Sequence, residues 1–279
     1  MTFFQSFILG LVQGLTEFLP VSSSAHLVFF QFLFGFSDPL VFFDVILHLG
    51  TLVALLIYFA GDLAHLVRDS VYGIFFLLRR KSLKEIFEIA PHTRWALGII
   101  IASIPTALMG FLLKDWFESL FGSLRGVSYQ LFVNAAILWS TRYYPKGDKT
   151  IQTARLLDFF IIGIFQGVSI IPGISRSGAT IATALLLGLE RQTAFRFSFL
   201  LAIPAILGAG ILECKHGFQS WHWGWPVLGI GFFASLIAGY FSLYILSKMI
   251  RKGQLYTFAF YTLLFGIVVL MYANGFKLG

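Results

Sequence analysis

The chain has 279 residues, of which 58% are hydrophobic and 12% charged, and a mean hydropathy of +0.84. That composition cannot cover a soluble surface with polar groups, which excludes an ordinary soluble domain and implies an integral membrane protein. The formal charge of +7 gives no sign of a nucleic-acid partner, and the single cysteine, Cys214, excludes an intrachain disulfide or a cysteine-rich metal site.

Apolar runs of helical length predict an all-α polytopic bundle, because a membrane β-barrel shows alternation over segments of ~10 residues instead. Met1 to Leu9 carries no Lys or Arg ahead of its apolar stretch. A cleavable signal has a basic start, so this segment is read as part of the mature fold. Six full spans are expected: Val41 to Ala60, Trp95 to Leu113, Val127 to Tyr144, Arg196 to Glu213, Trp225 to Leu246 and Tyr256 to Ala273. The third contains Gln130 and Asn134. Four shorter apolar pieces, Phe3 to Val12, Leu27 to Phe36, Leu156 to Ile171 and Ala179 to Leu189, flank two polar motifs. A helix of ~10 residues rises ~15 Å, half of a ~30 Å bilayer core, so each pair predicts a re-entrant helical hairpin with a motif at its tip.

The first motif is Gly10-Leu-Val-Gln13-Gly14-Leu-Thr-Glu17-Phe-Leu-Pro20-Val-Ser22-Ser23-Ser24-Ala-His26. The second, Gly163-Ile-Phe-Gln-Gly167-Val-Ser-Ile-Ile-Pro172-Gly173-Ile-Ser175-Arg176-Ser177-Gly178, repeats its skeleton. Residues 1–150 and 151–279 then share one plan, a hairpin followed by three spans. The odd number of spans inverts the second half, and such repeats bring half-helix N-termini together near the midplane. The paired glycines also fit simple small-x-x-x-small helix contacts. Lys and Arg concentrate at 61–94, 142–155, 190–196 and 247–255, whereas Lys114, Arg125, Lys215 and Lys277 fall on the opposite side. The richer side reads as cytoplasmic, which places both termini outside.

Polar groups at bilayer depth are costly and are therefore site candidates. Glu17, His26, Asp44, His48, Arg176 and Glu190 lie within or beside apolar runs, while Asp158 and Glu213 sit at span ends and read as interfacial. An arginine among serines at a helix start suits a phosphate, and a structural salt bridge from Arg176 to Glu17 or Asp44 is the competing reading. Gln13 and Glu17 share one helical face, Pro20 breaks the backbone, and Ser22 to Ser24 supply hydroxyls. Glu17, a serine, His26 and Arg176 together provide a base, a nucleophile or proton donor, and a clamp, a set suited to hydrolysing a phosphoric anhydride.

Gln13 to His26 and Pro172 to Thr180 resemble the two signatures of the bacterial undecaprenyl-diphosphate phosphatase family, the bacitracin-resistance type. The likeness extends to Phe43-Asp44-Val-Ile-Leu-His48-Leu-Gly-Thr51 and Phe197 to Pro204. It implies removal of the terminal phosphate of undecaprenyl diphosphate to regenerate the monophosphate carrier for cell-wall synthesis, in the bacterial plasma membrane, at a site opening outward. It also implies a divalent cation, Mg²⁺ or Ca²⁺, held at Glu17. By the same resemblance Glu17, Ser23, His26 and Arg176 are the catalytic set; it leaves open whether Ser23 or His26 attacks phosphorus, and Ser23 is taken as the nucleophile with Glu17 and His26 handling protons. Gln13, Ser22, Ser24, Gly173, Ser175, Ser177 and Gly178 would bind the substrate. Many members carry Glu where this chain has Gln13, which leaves one carboxylate for the cation.

Phe29, Phe30, Phe32 and Phe34 would line a prenyl path or simply face lipid. Arg79 to Lys84 would meet anionic headgroups or serve topogenesis alone. Membrane lipids are expected partners, and a homodimer is left open. The alternative function is a polyprenyl-phosphate flippase or other transporter, since an inverted repeat is also a transporter plan. The acid-phosphatase pattern is set aside, because Ser24-Ala-His26 lacks its glycine and no histidine follows Arg176 until His216.

Overall fold

The computed structural model describes residues 1–36, 40–144, 147–217 and 223–276. Lys146, Lys277 and part of the loop 214–224, expected to face outward, lie outside the described residues. The chain folds into thirteen described helices: α1 (Phe3–Phe18), α2 (Ser23–Leu33), α3 (Val41–Tyr58), α4 (Ala60–Leu78), α5 (Leu83–Ile89), α6 (Thr93–Leu112), α7 (Lys114–Phe121), α8 (Leu124–Ser140), α9 (Leu156–Val168), α10 (Arg176–Leu186), α11 (Arg191–Gly217), α12 (Trp225–Arg251) and α13 (Phe258–Ala273). Among the described residues the β-structure is limited to one isolated bridge between Lys149 and Leu189.

Among the described residues five helices are long and apolar enough to cross a membrane: Val41–Tyr58, Thr93–Leu112, Arg191–Ile211, Trp225–Arg251 and Leu255–Ala273. They coincide with five of the six expected spans. The remaining one, Val127 to Tyr144, falls on α8, which Ser123 starts by accepting the Gly126 N–H at 3.1 Å and which a 3₁₀ turn at Thr141–Tyr143 ends after 17 residues. The segment 61–94, expected as a loop, instead holds α4 and α5. Asp62, Arg68 and Asp69 interrupt its apolar run, so it has no span-like stretch, yet the helix forms and packs on α6. Asp69 makes that joint. Its carboxylate accepts the His92 N–H at 3.1 Å and its carbonyl accepts the Thr93 hydroxyl at 2.8 Å.

The two halves pack by exchange. α1 of the first half lies along α12 of the second, and α9 of the second lies along α6 of the first. The paired glycines make both contacts. A Cβ at Gly10 would sit 2.5 Å from the Gly231 carbonyl oxygen, one at Gly14 would sit 2.5 Å from that of Ser235, and one at Gly163 would strike the Ala102 carbonyl. Close backbone approach of this kind stands in for the hydrophobic drive that helices lack among lipid tails. Behind the motifs the core is aromatic: Phe18 of α1 meets Phe199 of α11 edge-on at 5.6 Å, and Phe159 of α9 meets Phe197 at 5.1 Å. Phe29, a candidate for the prenyl path, is buried against Phe265 and Tyr272, whereas Phe32 is exposed.

Candidate active site

α1 runs on through Gln13 and Glu17, so the two side chains do share a helical face; Gln13 Nε2 donates to Glu17 Oε2 at 3.1 Å. The helix stops at Phe18, and the chain turns through Pro20 to Ser22, the N-cap of α2. Ser22 has φ 68°, a left-handed conformation that costs a non-glycine residue roughly 1–2 kcal/mol. Its surroundings hold it there. Its Oγ accepts the Ala25 N–H at 3.5 Å and the Gly173 N–H at 3.1 Å, and its carbonyl accepts His26 Nδ1–H at 2.7 Å.

The second hairpin mirrors this arrangement. α9 ends at Val168, a turn leads to Gly173 at φ +106°, and Ser175 caps α10 by accepting the Gly178 N–H at 3.2 Å. A side chain at Gly173 would strike Gln130 and the Val127 carbonyl of α8, so the position requires glycine twice over. Ser23 and Ser24 open α2, and Arg176 and Ser177 open α10; none of these four amides has a carbonyl to bond within its own helix. Two helix starts therefore offer N–H groups and positive dipole ends at the hairpin tips.

The tips meet. Besides the Gly173 to Ser22 bond, Asn134 of α8 donates Nδ2–H to the Pro20 carbonyl and accepts the Ser175 N–H at Oδ1, both at 3.0 Å. Arg176 Nη2 donates to Glu17 Oε1 at 2.6 Å, and Ser23 Oγ donates to Glu17 Oε2 at 2.6 Å. His48 of α3 brings Nε2 to 3.6 Å from the same Oε2, its Nδ1 fixed by the Asp44 carbonyl at 2.7 Å. Among the described residues two buried polar atoms here lack a hydrogen-bond partner: Arg176 Nη1 and Gln13 Oε1. An unsatisfied buried group costs ~1–3 kcal/mol, so a free donor and a free acceptor on two residues that both bond Glu17 mark a place for a ligand.

The remaining candidates divide. Gln13, Ser22, Ser23, Arg176, Gly173 and Glu17 gather at one point. The hydroxyls of Ser24 and Ser177 turn to neighbouring serines, Ser22 and Ser175, each at 3.2 Å, and Gly178 serves the α10 cap. His26 is not brought to Glu17. Its ring stacks on Phe265 at 3.8 Å, and Nε2 faces the Tyr261 hydroxyl at 2.9 Å. Because Nδ1 lies on a carbonyl it must carry a proton, so in the neutral ring Nε2 accepts from Tyr261. Asp44 Oδ1 accepts Gln31 Nε2–H at 2.8 Å, and Glu190 accepts the Thr193 hydroxyl at 2.7 Å. Asp158 caps the start of α9 through the Arg155 N–H at 2.8 Å. Asn134 and His48 were legible only as polar residues inside apolar stretches, with nothing to indicate their partners.

A hard cation fits this donor set. One carboxylate, the free Gln13 amide oxygen and a serine hydroxyl are all oxygens, the preference of Mg²⁺ or Ca²⁺ and not of zinc. Among the described residues no three His, Cys, Asp or Glu side chains are placed to hold a metal ion together, so such a cation would complete its shell with water and substrate oxygens.

Residues 6–268 match the family model described as bacitracin resistance protein BacA. The undecaprenyl-diphosphatase of Carboxydothermus hydrogenoformans is 41% identical over 278 residues, covering 97% of each chain. Relatives of the same name from Methanosphaera stadtmanae and Korarchaeum cryptofilum are 42% and 38% identical. The first is covered to 95% with 95% of this chain, and the second to 97% with 95%.

Proposed function

The chain belongs to the bacitracin resistance protein BacA family, and from that premise we propose that it is an undecaprenyl-diphosphate phosphatase. It removes the terminal phosphate of the membrane-borne diphosphate, releasing inorganic phosphate and the monophosphate carrier for cell-wall synthesis. The observation that carries this reading is the chain Arg176–Glu17–Ser23 across two hairpins, with Arg176 Nη1 left open for an anion.

The reaction runs as a two-step transfer. The terminal phosphoryl group binds against Arg176 Nη1 and the opening amides of α2 and α10, where a guanidinium fork and helix starts stabilise the charge that builds on its oxygens. Glu17 Oε2, already accepting the Ser23 hydroxyl, takes its proton as Oγ forms the new bond to phosphorus. The bond from phosphorus to the bridging oxygen breaks, and the prenyl monophosphate leaves with the proton from Glu17, which is then a carboxylate again. Water attacks the phosphoserine, Glu17 taking its proton and returning it to Ser23 Oγ as the bond from phosphorus to Oγ breaks and phosphate departs. His48 Nε2 lies beside the same carboxylate oxygen and shares in holding that proton. His26 supports the Ser22 carbonyl, and so the turn that aims Ser23. Glu17, Gln13 and Ser23 would hold a divalent cation, which when bound supplies charge neutralisation for the diphosphate.

The site opens to the outer face and both termini lie outside; the Lys and Arg distribution supports that orientation. The reciprocal packing of α1 on α12 and α9 on α6 supports an inverted repeat. The deciding experiment is phosphate release from a long-chain prenyl diphosphate by purified protein, with Mg²⁺ or EDTA, beside Arg176→Ala and Glu17→Ala. Metal-dependent release lost in both variants is expected. No release from folded, lipid-binding wild type would overturn the proposal.

A further inference from the structure

Five described helices end in the same motif. In each, the residue after the last turn is left-handed and donates back three residues, while the next residue donates back five. At four of these ends the left-handed residue is glycine: Gly35, Gly188, Gly253 and Gly275, with φ between 70° and 89°. The fifth ends α4, where Arg80 takes φ 59°, Arg80 N–H bonds Leu77 O at 2.9 Å and Lys81 N–H bonds Phe76 O at 3.1 Å. The cheap residue for that position is glycine, and the chain places an arginine there, between Arg79 and Lys81.

These three cations form no ion pair among the described residues. Arg79 and Lys81 lie over the rings of Phe75 and Phe76, at 4.2 and 5.7 Å. The nearest carboxylate in sequence, Glu85, turns back to cap α5, accepting the Ser82 N–H at 2.9 Å. Immediately before the trio, α4 presents an exposed apolar face that includes Val67, Val71 and Ile74, with Leu78 the most open. Beside that face, α4 and α6 leave a groove of about 330 Å³ whose walls are apolar apart from Ser70. Ile74 lines it, and α4 runs on only to Leu78, ~6 Å at 1.5 Å per residue, before the chain turns through Arg79 and Arg80.

We propose that the α4–α6 groove and the Arg79-Arg80-Lys81 end of α4 form a binding site for one anionic phospholipid, an acyl chain in the groove and the phosphate on the cations. Topogenesis alone accounts for basic residues on this side of the membrane. It does not require arginine in a left-handed cap or an apolar groove on the same helix. The site is separate from the catalytic cluster, whose residues lie on α1, α2, α3, α8 and α10.

The test uses the full chain in detergent, with native mass spectrometry counting retained phosphatidylglycerol against phosphatidylcholine, and prenyl-diphosphate hydrolysis as the measure of intact fold. Wild type should retain phosphatidylglycerol preferentially. The variant R79Q/R80Q/K81Q should still hydrolyse substrate but lose that preference by about fivefold for each charge removed, the weight of one cation at an anionic surface. Ile74→Trp, which fills the groove, should reduce retention of both lipids. Equal retention of both by wild type, or an undiminished preference in the triple variant, would overturn the proposal. So would one-for-one displacement of phosphatidylglycerol by prenyl diphosphate, which would give the groove to the substrate instead.

Discussion

Asn134→Ala tests whether the two hairpins act as one site. The side chain is wholly buried and forms two bonds, one to the backbone of each motif: Nδ2–H to the Pro20 carbonyl and Oδ1 from the Ser175 N–H, both at 3.0 Å. Alanine removes both and leaves two buried backbone groups without partners. At ~1–3 kcal/mol for each orphaned group, the cost is ~2–6 kcal/mol. Part of it will appear as a lower melting temperature. The rest will appear as separation of the tips, and a shift of about 1 Å in the clamp relative to Ser23 costs about 100-fold in turnover. The assays are phosphate release from a long-chain prenyl diphosphate and thermal unfolding in the same detergent. Ser22→Ala completes the cycle, because Ser22 Oγ bridges the same gap to the Gly173 N–H at 3.1 Å. If both residues hold one joint, the double variant departs from additivity by ~0.5–3 kcal/mol. Wild-type turnover with an unchanged melting temperature in Asn134→Ala, or strict additivity with Ser22→Ala, would refute the reasoning.

Ser23→Ala should lower turnover by at least ~10²-fold, while His26→Asn, which can still donate toward the Ser22 carbonyl, should retain much more; steady-state rates at saturating substrate decide between them. Equal losses in the two would return His26 to the reacting centre. Gly163→Ala should destabilise by ~1–3 kcal/mol, read as a lower melting temperature, because the new methyl meets the Ala102 carbonyl and forces α9 off α6. EDTA should abolish hydrolysis and excess Mg²⁺ restore it. Gln13→Glu, which sets a second carboxylate at the free amide oxygen, should lower the Mg²⁺ concentration needed for half-maximal rate, and an unchanged requirement would remove Gln13 from the cation site.

Much of this was legible in the sequence because the signals were local. The serines announced two helix starts through their capping chemistry, and Ser22 and Ser175 are those caps. The spacing of Gln13 and Glu17 fixed a shared face once the segment was helical. Composition and run length located five of the crossing helices. What stayed hidden depends on contacts between distant segments. Asn134 read as a blemish in a span, since its partners Pro20 and Ser175 are remote in sequence. His48 read only as a polar residue in an apolar run, and its approach to Glu17 comes from another helix. α4 was missed because Asp69 and Arg68 look like loop residues, although they pair with each other at 2.9 Å and the aspartate also fastens α4 to α6.

The salt bridge between Arg176 and Glu17 appeared first as the bland alternative to a phosphate clamp. Under the proposed reaction the two are one contact at different stages. A lone arginine at bilayer depth costs ~2.5–3.5 kcal/mol on insertion scales, so a clamp waiting for substrate needs a resting counter-charge. Glu17 supplies it through Oε1 while Oε2 keeps the Ser23 proton in place. A structural pair would be expected to use the whole guanidinium fork; here Nη1 is buried and unused. When a diphosphate enters on Nη1, its charge competes for Arg176 and weakens the hold on Oε1. That leaves Oε1 less tied to the guanidinium, while Oε2 stays on the Ser23 proton when the phosphoryl group arrives. Substrate binding and activation of the nucleophile are thus coupled through a single carboxylate.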